Sequence, residues 1–491
     1  MDIKQFLNDY GRKDLIRFST MGSVDDGKST LIGRLLQDSK AIYEDHLQAV
    51  KRYTDKHAAV KDNLELALLL DGLKSEREQG ITIDVAYRYF STPQRKFIIA
   101  DTPGHVQYTR NMATGASTAD LAIVIIDAAQ GVLPQSRRHS FIAALLGIKH
   151  IIVAVNKMDL VDYKRNIFEE IKQDFTNFAA RLEVSDIHFI PISALHGDNV
   201  VNVSNNMPWF HGSPLIEYLE SVHIASDRNL IDLRFPVQSV LRAEQDFRGY
   251  SGTVASGIVR RGDEVVVLPS GLRTRVERIV TYDGDLEAAF PPLAVTLTLE
   301  DDIDISRGDM LCHVNNVPDV SREIEAMIVW MSEEPMVAGK PYLIKHTTST
   351  LSGNFTDILY RININTMHRE KTDRFELNEI GRAVLSLNQP ILHDAYTRNR
   401  NIGCFVIIDR FTNNTVGAGT IIDRTRSKLS SSAPGGLKTQ KNSPDYGVSE
   451  ADRSEAESAD LARITSEHRA ERKGHRGLAL WLADPASAEL A

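Results

Sequence analysis

A short run near the amino terminus combines glycines, acids, a lysine and a hydroxyl in a spacing that suits phosphate binding. The run consists of Gly22, Ser23, Val24, Asp25, Asp26, Gly27, Lys28 and Ser29. Its pattern, Gly-x-x-x-x-Gly-Lys-Ser, fits a loop whose backbone N–H groups turn inward onto phosphates at the positive end of a following helix. Lys28 then supplies a point charge for the outer phosphates, and the Ser29 hydroxyl supplies a ligand for Mg²⁺. Thr30, which opens the predicted helix, is added to these candidate nucleotide-binding residues.

A second run, Asp101-Thr102-Pro103-Gly104-His105, follows an apolar segment that predicts a buried strand. An acid at the carboxyl end of such a strand can hold Mg²⁺ through its water shell. Gly104 has no side chain, so its N–H can approach the last phosphate of a triphosphate closely. His105 is then expected to point into the reaction zone and orient the attacking water. We therefore predict Lys28, Gly104 and His105 as the catalytic residues.

Thr82 stands where a long connector meets a run that alternates like a strand. A hydroxyl or backbone group at such a place can sense the last phosphate of a nucleotide. We predict a Mg²⁺ site formed by Ser29, Thr82 and Asp101. The alternative is that Thr82 is simply a residue that favours strands.

Two further runs select the base. Asn156-Lys157-Met158-Asp159 follows an apolar strand, and Ser193-Ala194-Leu195 follows the next one. The Asp159 carboxylate can accept hydrogen bonds from guanine N1–H and the 2-amino group, whereas adenine would leave that carboxylate unpaired, a mismatch that can reject the wrong base by about 10⁴-fold. The Lys157 stem can cover the base, and the Ala194 N–H can reach guanine O6. The candidate nucleotide-binding residues are completed by Asp101, Asn156, Lys157, Asp159, Ser193, Ala194 and Leu195. Together with the first run they predict GTP.

The predicted reaction is in-line attack of water on the γ-phosphate, in which positioning and charge do most of the work. The sequence offers no obvious arginine finger, so we expect a slow basal rate that a partner accelerates.

These residues can act together only if the fold places the ends of several strands close to one another. Apolar runs at 15–20, 97–100, 121–126, 151–155 and 187–192 alternate with helical patterns. That alternation predicts a doubly wound, mostly parallel α/β sheet with the functional residues at its carboxyl edge. We assign residues 14–226 to this GTP-binding domain. The connector that leads to about Gln79 shows helical spacing near 42–50 and 64–73.

After this domain the pattern changes to short alternating runs punctuated by glycines. Such runs predict small β-barrels. We place one barrel at 231–320, with Gly252 to Val259 as one of its strands, and a second at 324–424. Residues 425–491 form a polar tail that is expected to be a linker or disordered.

Composition limits the partners. The chain has 491 residues and a formal net charge of −9, which argues against a broad, nonspecific nucleic-acid surface. Cys312 and Cys404 lie far apart without metal-ligand spacing, which favours a reducing compartment. The start lacks a signal-peptide pattern, and the apolar runs are too short to span a membrane. We expect a cytoplasmic protein.

The whole arrangement resembles the elongation factor Tu-like GTPases, which have a GTP-binding domain followed by two β-barrels. The amino-acid sequence of the motifs is more similar to one member of this group, the large GTP-hydrolysing subunit of bacterial sulfate adenylyltransferase (ATP sulfurylase). The translation factors usually carry His where Asp26 stands and Thr where Ser29 stands. The segment from Asp71 to Tyr87 and the segment from Phe97 to His105 also resemble the sulfurylase subunit. The resemblance covers about residues 14 to 424.

The resemblance implies a heterodimer with a smaller subunit that carries the site for ATP and sulfate. The product would be adenylyl sulfate plus pyrophosphate, and GTP hydrolysis would drive this uphill reaction. Two alternatives remain open from the sequence. One is a translational GTPase that carries aminoacyl-tRNA, which should need basic, RNA-facing barrel surfaces. The other is a regulatory GTPase without a coupled enzyme.

The tail carries a second resemblance. Residues 466–482 resemble the start of an adenylylsulfate kinase domain, which follows the second barrel in some relatives. The nine residues after Leu482 contain no second phosphate-loop pattern. We therefore expect no kinase activity; an unrelated polar tail is the alternative.

Overall fold

The computed structural model describes residues 14–39, 82–182, 184, 186–224, 229–243, 247–364 and 366–423. The predicted helical spacing in the connector and the predicted kinase-like tail lie outside these residues.

The first part of the chain forms a six-stranded sheet in the order β2-β3-β1-β4-β5-β6. Its strands are β1 (Asp14–Met21), β2 (Ala86–Ser91), β3 (Arg95–Asp101), β4 (Leu121–Asp127), β5 (His150–Asn156) and β6 (Asp186–Pro191). All neighbours run parallel except β2, which pairs antiparallel with β3 at one edge. The carboxyl ends of the five parallel strands therefore meet at one edge of the sheet.

Helices cover both faces of this sheet. They are α1 (Lys28–Asp38), α2 (Thr109–Ser117), α3 (Pro134–Leu145), α4 (Arg165–Ala179) and α5 (Leu215–Ser221). Buried side chains of α2, α3 and α4 share one apolar cluster, and those of α1 and α5 share another. A strand covered on both faces must be apolar throughout, which explains why β4, Leu-Ala-Ile-Val-Ile-Ile-Asp, is buried along its whole length. The predicted doubly wound α/β domain is confirmed.

The next strands close into a first barrel through the ring β10-β15-β7-β8-β14-β11, in which β11 returns to β10. The strands of this region are β7 (Phe235–Ala243), β8 (Phe247–Thr253), β9 (Val259–Arg260), β10 (Glu264–Leu268), β11 (Leu272–Thr281), β12 (Gly284–Leu286), β13 (Ala288–Ala289), β14 (Ala294–Leu299) and β15 (Met310–His313).

A second barrel closes in the same way through β18-β23-β24-β16-β22-β19, with β18 paired to β19. Its strands are β16 (Asp319–Trp330), β17 (Met336–Val337), β18 (Pro341–His346), β19 (Ser349–Ile362), β20 (Arg369–Glu370), β21 (Arg374–Phe375), β22 (Ile380–His393), β23 (Cys404–Ile408) and β24 (Thr415–Ile421). The predicted architecture of one α/β domain and two β-barrels is thus confirmed.

One predicted strand is wrong in detail. The run from Gly252 to Val259 is split, because β8 ends at Thr253 and β9 begins at Val259. Between them Gly257 adopts a φ of 73°, and a Cβ there would overlap the backbone of Leu233. The chain therefore turns where an alternating sequence suggested a continuous strand.

Two ion pairs join the two barrels, and the pair between Arg234 and Asp394 is buried. Arg234 at the start of the first barrel is 0% exposed, and its Nε donates to Oδ2 of Asp394 over 2.9 Å. Its Nη1 donates to the carbonyl of Asn316 over 2.7 Å. Arg398 forms a two-pronged pair with Asp232, 2.9 Å on each side. Both guanidinium groups thus tie the loop after β22 to the first barrel.

The second barrel also packs on the α/β domain. The Tyr396 hydroxyl donates to the carbonyl of Leu146, just past helix α3, over 2.8 Å. Arg181 donates to the carbonyl of Thr366 over 2.9 Å. Val329 and Ile380 of this barrel belong to the apolar cluster of α2, α3 and α4. The three parts of the chain are therefore held by direct contacts.

Across the described ranges, every helix is too short or too polar to cross a membrane.

The barrel junction yields a stability prediction. We expect Asp394→Asn to lower the free energy of unfolding by about 3 kcal/mol, because it leaves the buried Arg234 charge without its counter-ion. The measurement is urea unfolding followed by tryptophan fluorescence, since Trp330 is buried in the second barrel. The matched control is Asp285→Asn, which breaks a half-exposed pair with Arg278 and should barely move the transition. Equal effects of the two variants would contradict the assigned role of the buried pair.

Candidate nucleotide-binding site

The phosphate loop (22–29) lies between the end of β1 and the start of α1. Gly27 caps the helix in a left-handed conformation, with φ 92°, and the helix begins at Lys28. The unpaired N–H groups of the first helical turn and the helix dipole therefore face the loop, an arrangement that favours anions. Ser29 and Thr30 are half-buried in that first turn.

Lys28 is held in place by the loop itself. Its side chain is 7% exposed, and its ammonium donates to the carbonyls of Gly22 over 3.2 Å and Ser23 over 2.5 Å. Burial lowers the pKa of Lys28, while the charges of Asp26, Asp101 and Asp25 act in the opposite direction. The acids around Lys28 thus favour its charged form, which phosphate binding needs.

Asp101 and Gly104 sit against this loop. Asp101 pairs with Thr20 in the β1–β3 register, and its Oδ1 accepts from the Thr20 hydroxyl over 3.3 Å. A Cβ on Gly104 would overlap the Lys28 ammonium and lie 2.8 Å from the carbonyl of Gly22. Only a glycine fits there without displacing the loop, so the structure brings Asp101 and Gly104 together with Lys28.

His105 follows immediately and is half-buried. Its Nδ1 accepts from the backbone N–H of Gln107 over 3.2 Å, and its ring centroid lies 5.9 Å from that of Tyr108. With Nδ1 as an acceptor, the neutral ring carries its proton on Nε2. In this conformation His105 can donate to a water oxygen and so orient the water, but Nδ1 is already engaged.

Thr82 has fewer contacts with the rest of the candidate site. It lies before β2 without regular structure, and the next residue, Ile83, accepts at its carbonyl from Asn111 of α2 over 2.8 Å. Among the described residues, no hydrogen bond joins Thr82 to the phosphate loop. The structure therefore does not bring Thr82 together with Ser29 and Asp101 by direct bonding.

Asn156 connects the phosphate loop to the predicted base-binding residues. It is 2% exposed at the end of β5. Its Nδ2 donates to the carbonyl of Asp26 over 2.8 Å, and its Oδ1 accepts from the N–H of Ala194 over 2.9 Å. A Cβ on Gly27 would overlap Nδ2 of Asn156. One side chain thus fixes the spacing between the two loops.

The rest of the predicted base site is also ordered. Oδ1 of Asp159 accepts from the Ser193 hydroxyl over 2.6 Å, which orients the carboxylate. Lys157 adopts a φ of 61°, and its ammonium donates to Asp127 over 2.9 Å. The Ala194 N–H already donates to Asn156, so the contact predicted with guanine O6 requires that hydrogen to be shared.

Several contributing residues escaped the sequence analysis. Asp127 anchors Lys157, and its position at the end of β4 was a usable signal. Arg34 of α1 donates to the carbonyls of Ala194, over 3.2 Å, and Leu195. An arginine on a helix gives no sign of this contact, because its partners are 160 residues away or more.

Helix α3 supplies two more residues that contribute to the site, Ser136 and His139. The Ser136 hydroxyl lies 3.5 Å from the Ser23 hydroxyl. His139 is fully buried, its Nε2 lies 2.8 Å from Nε2 of Gln135, and burial above all, then the charges of Lys28 and Arg138, lowers its pKa to about 3. The spacing of Ser136 and His139 on one turn of the predicted helix could have marked them as a polar face in an apolar layer.

Comparison with known proteins agrees with this geometry. The family model described as elongation factor Tu GTP binding domain matches residues 13–230, and the model described as GTP-eEF1A C-terminal domain-like matches residues 323–422. The fold and site therefore define a GTP-binding protein of the elongation factor Tu class.

Longer similarities are more specific. The chain is 57% identical over 422 residues to sulfate adenylyltransferase subunit 1 of Saccharophagus degradans, covering 86% of this chain and 90% of that protein. It is 55% identical to the protein of the same name from Alteromonas mediterranea, covering 88% and 92%. It is 56% identical to the bifunctional enzyme CysN/CysC of Rhodopirellula baltica, covering 97% of this chain and 72% of that protein. The chain belongs to the sulfate adenylyltransferase subunit 1 family, which favours that interpretation over a translational GTPase.

The contact between Gly27 and Asn156 can be tested with a matched pair of variants. Gly27→Ala should weaken nucleotide binding by roughly 100-fold or more, because the strain of a positive φ is joined by a clash with Asn156. Gly131→Ala also places a side chain at a positive φ, 72°, but with nothing within 4 Å. It should bind nearly as the unmodified chain does. Titration with a fluorescent GDP derivative measures both, and similar affinities for the two variants would argue against the role given to Asn156.

Proposed function

We propose that this chain is the GTPase subunit of a heterodimeric sulfate adenylyltransferase that works in the cytoplasm. In this proposal it binds and hydrolyses GTP, while a smaller subunit joins ATP and sulfate into adenylyl sulfate and pyrophosphate. The observation that carries the proposal is the linked assembly of phosphate loop, Asn156 and Asp159 in a chain of this family. That assembly offers donors to phosphates and an oriented carboxylate to guanine.

The residues suited to Mg²⁺ are Ser29, Thr82 and Asp101. Their side chains offer only oxygen atoms, the ligands that Mg²⁺ prefers, and Asp101 is buried at 4% exposure at the end of β3. When bound, Mg²⁺ would offset negative charge on the β- and γ-phosphates. Thr82 would need to approach the loop, since no hydrogen bond among the described residues holds it there.

The catalytic proposal assigns separate tasks to three residues. Lys28 offsets charge on the outer phosphates, and the Gly104 N–H donates to the γ-phosphate. His105 donates from Nε2 to the oxygen of the attacking water and so positions it in line with the bond that breaks. As the water oxygen bonds to the γ-phosphorus, GDP leaves and the water's proton passes to an oxygen of the released phosphate. His105 therefore need not take up the proton, which agrees with the engagement of its Nδ1 by Gln107.

Coupling to the smaller subunit requires that GTP and GDP favour different states of the chain. The segments positioned to differ are the stretch before β2, which contains Thr82, and the stretch after β3, which contains Gly104 and His105. The second stretch lies against the phosphate loop at Gly104, and helix α2 contacts the first stretch through Asn111. A partner that touches either stretch could therefore sense which nucleotide is bound.

The proposal predicts coupled turnover. GTP hydrolysis should rise when the small subunit, ATP and sulfate are all present, and pyrophosphate should appear only as GTP is consumed. Release of phosphate and release of pyrophosphate are measured in the same reaction, and the control is a reaction without sulfate. GTP hydrolysis that ignores the small subunit and its substrates would leave the GTPase assignment standing and overturn the coupling.

The role of His105 predicts a specific kinetic effect. His105→Ala should lower kcat for GTP by roughly 10²-fold or more while changing KM little, because the residue acts on the water and not on nucleotide binding. His211→Ala is the matched control, since His211 is exposed in the same domain. An effect confined to KM, or equal in both variants, would contradict the assignment.

A further inference from the structure

Asp26 is a buried acid within the phosphate loop, and the proposed reaction does not use its carboxyl group. The residue is 1% exposed. Its Oδ2 accepts from the backbone N–H of Ser23 over 2.5 Å, and its backbone carbonyl accepts from Asn156. Asp26 therefore closes the loop on itself and also joins it to the base-binding side of the site.

The other carboxyl oxygen is left without a partner. Oδ1 of Asp26 is buried and has no hydrogen bond within the part of the chain that the structure describes. An ionised carboxylate with an unsatisfied buried oxygen is costly, and protonation of that oxygen removes the charge. The geometry thus identifies Oδ1 as the place where a proton would bind.

The charged groups around Asp26 have opposite effects on its ionisation. Lys28 and Lys157 stabilise the anion, and Asp127 at the end of β4 opposes it. The exposed Asp25 is its neighbour in the chain. Burial is the largest effect and raises the pKa of Asp26 to about 6, although the Ser23 N–H acts against it. The phosphate loop therefore carries an acid that changes its protonation near pH 6.

Nucleotide binding brings several negative charges to the same loop. Lys28, which stabilises the Asp26 anion, would then share its charge with the phosphates. An added negative charge nearby disfavours the ionised form of a carboxyl group. Both changes raise the pKa of Asp26 and so favour its protonated form.

We propose that Asp26 is a positioning residue that takes up a proton from solvent on Oδ1 when a nucleotide binds, so that the phosphate loop binds nucleotide more tightly as pH falls from 8 to 6. Oδ2 keeps its bond to Ser23 in both protonation states, so the loop keeps its shape while it loses a negative charge. This inference rests on the proposed nucleotide site.

The direction of the pH dependence of nucleotide affinity follows from proton linkage. If the bound state holds more protons than the free state, affinity rises as pH falls through the interval between the two pKa values of Asp26. Above that interval Asp26 is ionised in both states, and the dependence ends. Full linkage of one proton changes affinity by up to about tenfold per pH unit.

The test is isothermal titration of the full chain with GDP and Mg²⁺ from pH 6 to pH 8. Titrations in two buffers with different ionisation enthalpies give the number of protons taken up. Three proteins are compared: the unmodified chain, Asp26→Asn, and Asp162→Asn. Asparagine at position 26 keeps an oxygen that can accept from Ser23, and Asp162→Asn removes the same charge from an exposed carboxylate of the same domain, outside the phosphate loop. The nucleotide's own protonation is common to all three and cancels.

We expect the unmodified chain and Asp162→Asn to take up a proton and to lose affinity by about tenfold between pH 6 and pH 8, relative to Asp26→Asn. A similar pH dependence and proton count for all three proteins would overturn the inference while leaving the nucleotide site intact. If Asp26→Asn does not fold, the unmodified chain still decides: no proton uptake beyond that of Mg²⁺-GDP itself would also overturn it. Absence of GDP binding by the unmodified chain at every pH would instead overturn the proposed function.

Discussion

The site depends on one constraint, the pair of hydrogen bonds made by the Asn156 side chain. A buried amide can satisfy both its donor and its acceptor only if two backbone groups lie at the right separation. Here those groups are the Asp26 carbonyl and the Ala194 N–H. The distance between the phosphate loop and the loop after β6 is therefore set by a side chain at the end of β5, between them in the sheet.

Around that side chain the domain maintains a balance of buried charges. Lys28 lies among Asp26, Asp101 and Asp25, and Asp127 pairs with Lys157. His139 is held neutral behind the same loop. Buried charges are tolerated only with partners, so each group constrains the positions of the others. In the proposed site an incoming nucleotide would change this balance, because its phosphates add negative charge beside Lys28 and Asp26.

The contacts of helix α3 extend this constraint to the barrels. Ser136 near its start lies beside Ser23, and Leu146 just past its end accepts from Tyr396 of the second barrel. The second barrel is in turn tied to the first by the buried pair of Arg234 and Asp394. These contacts connect the phosphate loop, through helix α3, to both barrels.

The sequence by itself determined the fold class, because fully apolar strands such as β4 and glycine-punctuated alternating runs follow from burial on two faces or one. It also predicted which residues could serve the nucleotide, since most of them follow the ends of strands that a parallel sheet brings to one edge. Only the tertiary structure decided how they are joined. The contacts of Asn156 with Asp26, of Arg34 with Ala194 and of Ser136 with Ser23 link residues distant in the chain. Local patterns report which face of an element is buried, but the partner of a buried polar group is set by the packing of whole elements.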